Sequence, residues 1–340
     1  MSTIDLRGPL ARVDRWDSQE ESQQVRRVEF SRPRWLGSLM VAPLLAVPIL
    51  WFDQDPVLQT MTLDAVAVGA PALAGIPLDV NPKVQRWLEA FQTTRRPELD
   101  DLLQRRGLYG EMIRGKLRER GMPEELVYIP MVESGLSPLA VSRVSAVGLW
   151  QFMSPTATQY GLRLDEYVDE RRDPVRATDA ALDYLEWLYG RFGGSWYLAA
   201  AAYNAGPGRV ERVLNRHAGG RMGNENLYWE ILEYLPRETR EYIPKLVAVT
   251  LLANAADVIG VNHDGFPPYR YENVFVPGGT TLKSVASALG IGVATLRTLN
   301  PHLTLEVTPP GEMFGVRIPL GGGATVVKAM ARVGRARRTD

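Results

Sequence analysis

The chain has 340 residues, enough for one sizeable core with a smaller module and linkers beside it. Lysine plus arginine (39) equals aspartate plus glutamate (39), and no basic run interleaves with aromatics, so nothing points to nucleic acid. The absence of cysteine excludes disulfides, thiolate ligands and cysteine nucleophiles. His217, His263 and His302 fall in three separate segments, which gives thin support to a metal site or a Ser-His-Asp triad, and no cofactor is expected.

Taken in chain order, the first marked feature is Trp35 to Phe52, eighteen residues without a charge. As a helix this run would reach about 27 Å, close to the hydrocarbon thickness of a bilayer. Arg32 and Arg34 precede it and Asp53 and Asp55 follow, while Trp35, Trp51 and Phe52 stand where interfacial aromatics belong. That asymmetry predicts a retained anchor with residues 1–34 in the cytoplasm and everything after Phe52 outside. The run is longer than a usual signal-peptide core, and no lipobox cysteine follows it.

Residues 53–81 read as a linker, free of Lys and Arg as far as Val80. From Pro82 to about Asp257 the pattern is helical. Pro123 leads into Leu126, Val127, Met131 and Val132, with Gly135 as a stop. Ser154-Pro155 and Asp173-Pro174 each pair a capping residue with a proline at the first helical position. The second opens a long helix in which Ala177, Ala181, Leu185, Leu188 and Phe192 form a stripe. A further helix runs from Trp196 through four alanines, Gly206-Pro207-Gly208 breaks it, Val210 to Leu214 restarts, and Ile243 to Asp257 is a last apolar helix. Gly265-Phe266-Pro267-Pro268 marks a boundary. After it come a strand near Tyr271–Val276, two short helices within Leu282–Leu299, a strand at Val316–Pro319, and a glycine-rich, basic tail over 321–340 expected to be disordered.

One segment carries chemistry. Val132-Glu133-Ser134-Gly135 places a carboxyl group at the end of an otherwise apolar helix, where burial would raise its pKa into the range of a general acid. Ser145 to Met153 (SAVGLWQFM) is a loop with two aromatics, and Ala202 to Gly208 (AYNAGPG) and Glu238 to Tyr242 (ETREY) follow. In this order the four motifs resemble the lytic transglycosylases of the lysozyme-like superfamily, above all the membrane-bound type D branch, over residues 84–258. The resemblance implies a mainly α, lysozyme-like domain over 82–262 with a glycan groove. It implies Glu133 as the catalytic residue and Ser145, Gln151, Met153, Tyr203 and Asn204 as substrate-binding residues. Tyr242 and Glu238 are further groove candidates, with core packing or an ion pair as the alternative.

A glycosidic bond breaks through an oxocarbenium-like state, and an acid must protonate the leaving oxygen. In lytic transglycosylases one glutamate then turns base and deprotonates the muramoyl C6 hydroxyl, which closes on C1 to give a 1,6-anhydro sugar. No second carboxylate is required. Asp165, Glu166 and Asp169 form an acidic loop that could mimic one, but they read as a solvated loop. Over 271–320, Val274 to Leu282 together with Leu299-Asn300-Pro301 and Val316 to Pro319 resemble a LysM module, a βααβ fold that binds N-acetylglucosamine-containing glycans. Gly278-Gly279-Thr280-Thr281-Leu282 departs from the usual Gly-Asp-Thr-Leu, which puts its glycan affinity in question. The expected partners are peptidoglycan strands and, through the N-terminal helix, the inner membrane of a bacterium, with the catalytic part in the periplasm or outside the cell. Other cell-wall enzymes are further possible partners. The sequence alone leaves open a hydrolytic muramidase and a catalytically dead glycan-binding scaffold.

Overall fold

A computed structural model describes residues 75–256 and 265–336. The expected anchor at 35–52, the segment 1–34 and residues 53–74 lie outside the described residues. Among the described residues no helix is long and apolar enough to cross a membrane. Gly75 to Asn81 already belongs to the folded domain, because Ile76 is buried and the Pro77 carbonyl accepts the Tyr197 hydroxyl.

The larger part is a mainly helical domain. Helix α1 (Pro82–Gln92) is capped by Asn81, whose side chain accepts from the Lys83 and Val84 amides while Pro82 supplies the first-turn φ. Helix α2 (Arg96–Glu119) buries Leu99, Leu103, Ile113 and Leu117 on one face. A 3₁₀ turn over Glu124–Val127 then leads into α3 (Tyr128–Ser134), so Pro123 caps the turn from outside the helix. Helix α4 (Ser154–Gln159) starts without a side-chain cap. Ser154 is already inside it, and its hydroxyl accepts from Arg171.

Asp173 caps α5 (Pro174–Arg191) as the sequence predicts, and the stripe from Ala177 to Phe192 is fully buried. Helix α6 (Trp196–Ala205) threads the core, and its four alanines let α5, α7 (Pro207–His217) and the later helix over Arg237–Asn254 approach closely. A short α8 (Asn226–Ile231) precedes α9 (Arg237–Asn254). Helix α9 begins at Arg237, well before the expected Ile243. Its first turns are polar on one side and buried at Thr239 and Tyr242 on the other, so apolar periodicity misses them. Pro244 inside it cannot bond the Arg240 carbonyl. The Tyr228 hydroxyl lies 2.9 Å from the Thr239 carbonyl and 3.3 Å from that of Arg240, and so satisfies the site that the proline leaves open.

The smaller part is a βααβ unit. Strand β1 (Glu272–Pro277) pairs antiparallel with β2 (Met313–Ile318), with α10 (Leu282–Leu289) and α11 (Val293–Leu299) between them. The basic tail is not disordered over its described length. Gly323–Ala336 forms α12, which packs on β1 through the buried Val326 with Met330 beside it, while Glu272 accepts from the Gly321 and Gly323 amides at its start. The apolar spacing of Val326 and Met330 outweighs the glycine run.

A unit of this size buries too little to be robust alone, and it docks. The chain over 265–270 runs along α2, the Phe266 and Tyr269 amides donating to the Gln104 and Leu108 carbonyls. Arg317 on β2 forks onto Asp173 at 2.7 and 2.8 Å, with both side chains nearly inaccessible. The acidic loop is solvated at Asp165 and Glu166, as expected, but not at Asp169. Asp169 is buried against Arg171 at 2.9 Å, Asp165 binds Arg163 and the Tyr167 and Val168 amides, and Val168 belongs to the core of the βααβ unit.

Candidate active site

Helix α3 is short, apolar on its buried side and terminated by Gly135 in the left-handed region. Glu133 therefore occupies its last turn, half-buried at the end of a helix whose carbonyl ends disfavour a negative charge. The Tyr242 hydroxyl donates to Glu133 Oε1 at 2.7 Å. Burial pushes the Glu133 carboxyl up to about 7. The Tyr242 bond pulls it down, the Glu238 charge raises it, and Lys245 lowers it. The phenols of Tyr242 and Tyr203 are held well above their ordinary range, first by burial and then by the charge of Glu133. Tyr203, Tyr242 and Glu133 are thus neighbours in one weakly solvated space, where the carboxyl can carry a proton near neutral pH.

The serine after Glu133 ties this helix to the loop over 140–152. Ser134 Oγ lies 2.8 Å from the Leu149 carbonyl, and the Tyr203 hydroxyl donates to the next carbonyl, Trp150, at 2.8 Å. The Trp150 indole is buried and donates to Thr178 Oγ1. The loop turns sharply: Ser145 and Gln151 hold positive φ of 64° and 50°, and Gly148 one of 84°. A Cβ on Gly148 would collide with the Arg171 carbonyl oxygen, so that position accepts only glycine.

The expected site residues divide into two groups. Glu133 lies near enough to Tyr203 for its charge to act on the phenol, and Asn204 is linked to the acid through Glu238. The Asn204 amide donates to Glu238 Oε1 at 3.1 Å, and its oxygen accepts from Thr239 Oγ1 at 2.7 Å, so both ends of the amide fix the start of α9. Ser145, Gln151 and Met153 lie on the loop that Ser134 and Tyr203 hold, and none of them bonds the carboxyl. Ser145 and Met153 are exposed, whereas Gln151 Nε2 is committed to the Gly148 carbonyl at 2.8 Å.

Two features were less legible. Tyr242 was one candidate among several, because the polar first turns of α9 hide which of its residues face inward. A row of rings, Tyr203–Tyr184–Tyr160 at centroid spacings of 5.3 and 5.1 Å, continues from Tyr184 to the exposed Trp187 at 6.0 Å. Tyr184 and Trp187, three apart on α5, carried the signal for it. Among the described residues no cluster of three or more His, Cys, Asp or Glu side chains could hold a metal.

Residues 111–224 match the transglycosylase SLT domain, which sets the class of this helical domain. Residues 270–334 match the LysM-like domain of lytic transglycosylase MltD, so the chain carries the two matched domains in sequence. It is 33% identical to membrane-bound lytic murein transglycosylase D of Escherichia coli (strain K12) over 234 residues, 68% of this chain and 50% of that protein. It is 30% identical to the soluble lytic murein transglycosylase of the same strain over 172 residues, 48% of this chain and 26% of that one. It is also 40% identical to peptidoglycan transglycosylase gp16 of Escherichia phage T7 over 83 residues, 24% of this chain and 6% of that protein. The chain spans half the length of its type D relative.

Proposed function

We propose that this protein is a peptidoglycan lytic transglycosylase that cleaves the MurNAc-β-1,4-GlcNAc bond without water, leaving 1,6-anhydro-MurNAc ends. The observation that carries the reading is Glu133, a carboxyl at a helix end with a pKa raised to about 7 and a single phenol bond from Tyr242. In this reading protonated Glu133 gives its proton to the glycosidic oxygen as the bond from that oxygen to C1 breaks. The substrate's acetamido oxygen supports C1. The carboxylate of Glu133 then takes the proton of the C6 hydroxyl while O6 bonds to C1. The acid is restored within one turnover, and both sugars are released with no atom added.

Tyr203 and Tyr242 line the acid. The loop with Ser145, Gln151 and Met153, together with the ring row ending at Trp187, offers hydroxyl, amide and aromatic surfaces suited to N-acetyl groups and sugar faces. Asn204 serves the site by fixing Glu238 and Thr239. The functional layout follows the sequence reading: a membrane anchor at 35–52, a lead segment to the domain, a catalytic part facing the periplasm, and a glycan-directed LysM-like module from about residue 270. No cofactor enters the chemistry.

Glu238 gives a specific reason to weigh one rival. It is a second carboxylate near enough to raise Glu133, as a two-carboxylate muramidase would require. It is exposed and bonded to Asn204 at the rim, which suits a field effect on Glu133 better than delivery of a nucleophile. Mass spectrometry of digested sacculi separates the two. Anhydro-muropeptides are expected, and reducing-end muropeptides would replace this mechanism by hydrolysis.

A further inference from the structure

We infer that the C-terminal βααβ module is a structural support of the active-site loop, acting through the segment 164–172, with Arg171 as the positioning residue. The inference rests on the proposed function only in assigning the loop over 140–152 to the groove.

The segment has two faces. On one, Val168 is fully buried within the module's own apolar cluster, beside Val276, Leu282, Leu296 and Ile318. The backbone there is stitched to the module: Val168 bridges Leu303, the Asp169 amide donates to the His302 carbonyl at 2.9 Å, and the Thr304 amide donates to the Tyr167 carbonyl at 3.0 Å. Thr304 Oγ1 adds a bond of 2.6 Å to the Glu166 carbonyl. The module's core is thus incomplete without a residue of the catalytic domain.

On the other face, Arg171 reaches the loop. Its guanidinium lies 3.4 Å from the Ser145 carbonyl, 3.4 Å from the Phe152 carbonyl and 3.0 Å from Ser154 Oγ. The two carbonyls stand at opposite ends of the sharp turn that contains Gly148, whose lack of a side chain lets the Arg171 backbone lie flush against it. Asp169 aims the guanidinium through a two-point contact at 2.9 Å on both arms. Asp169 itself takes its backbone bond from the module. The chain of contacts therefore runs from the module through Val168 and Asp169 to Arg171, and on to both ends of a loop held at two strained non-glycine φ angles. Strained backbone persists only where its surroundings over-determine it, and this is the surrounding element not supplied by the core of the catalytic domain.

The planar fork matters as well as the charge. Lysine at 171 could keep the pairing with Asp169 but could not at the same time reach the loop oxygens, which Arg171 meets through Nη1 while Nε and Nη2 hold Asp169.

The test uses the whole chain with three substitutions: Arg171→Met, Arg171→Lys and, at the module face, the mild Val168→Ala. Amide exchange of Val147, Gln151 and Phe152 is followed by mass spectrometry, together with kcat and KM on sacculi and the pH dependence of kcat. Arg171→Met is expected to speed exchange in this loop and lower kcat by about tenfold to a hundredfold, as a misplaced groove would. KM should change less, and the pH limb set by Glu133 should stay in place. Arg171→Lys should fall between it and the parent, and Val168→Ala should speed loop exchange although it touches no groove residue. Unchanged loop exchange in both Arg171→Met and Val168→Ala would overturn the inference. So would a loss of activity in proportion to unfolded protein alone. Faster loop exchange in variants of a protein that cuts no glycan would sink the functional reading and leave the support role standing.

Discussion

Glu133, half-buried at the end of α3, and Asp173, buried at the start of α5, are both poorly solvated carboxyl groups, and their protons behave oppositely. Burial pushes both pKa values up. Around Asp173 the Arg317 guanidinium, the charge of His302 when protonated, and the Val175 and Arg176 amides reverse that push, and the carboxyl is held below its ordinary value. Glu133 receives one phenol bond and a like-charged neighbour, Glu238, so the push survives and the carboxyl rises to about 7. Helix direction works the same way, because an N-terminus favours the charge of Asp173 and a C-terminus disfavours that of Glu133. Burial alone thus does not make an acid catalyst. The partners decide, and the same fold uses one carboxylate to fasten two modules and leaves the other able to hold a proton near neutral pH.

The contrast can be broken most forcefully at Glu133. Glu133→Gln should lower turnover on sacculi by about 10²- to 10⁴-fold, the usual weight of a general acid. The same variant should be no less stable than the parent near pH 8. The folded-state pKa of Glu133 lies above its unfolded value, so its contribution is complete below about 4.5 and is lost as pH rises through about 7. Melting curves across that range should be flatter for the variant. A stability loss near pH 8 would place Glu133 among the fastening residues instead.

Asp173→Asn should do the reverse. Asparagine still caps α5, but Arg317 is left buried without its counter-charge, a loss of about 3–5 kcal/mol. Thermal melts and limited proteolysis should report it as early release of the C-terminal module.

A third test uses pH. Burial lowers the His302 pKa to about 4; its Nδ1 lies 3.4 Å from Asp173 without a hydrogen bond, and Arg317 and the Phe314 ring crowd the same space. With an unfolded value near 6.5, the unfolded chain binds the proton first. Stability is therefore complete above about 6.5 and falls by about 3 kcal/mol as pH drops to about 4. His302→Gln should flatten that slope in a melting series from pH 7 to 4.

The smallest effects sharpen the comparison. Tyr242→Phe removes the bond that lowers Glu133, so the alkaline limb of the pH–rate profile should move to higher pH. Glu238→Gln removes a charge that raises Glu133, and the limb should move to lower pH. Shifts of the same sign in the two variants would show that one of the two groups does not act on Glu133 as described.

Much of this was readable from residues. The Asp173 cap, the Ala177–Phe192 stripe, the alanine helix and both strands follow from local rules of capping and period. An acid ending an apolar helix is more often a surface residue, and Glu133 stands out only through the resemblance that its neighbouring motifs carry. What local pattern hides is partnership across the chain. Nothing near Asp173 in sequence announces Arg317, 144 residues away. The burial of Asp169 is hidden because its neighbour Val168 finds apolar partners only in the module, and α12 reads as disordered because Val326 packs on a distant strand. Tyr242 escaped a firm assignment for the same reason, since its partner lies 109 residues earlier.

The most direct measurement is the titration of the Glu133 carboxyl itself, by carbon NMR of glutamate-labelled protein with Glu133→Gln to assign the signal. A midpoint near 7 is expected, moving upward in Tyr242→Phe. A midpoint near 4.5 would mean that Glu133 is ionised at neutral pH like any surface glutamate, and would contradict the account.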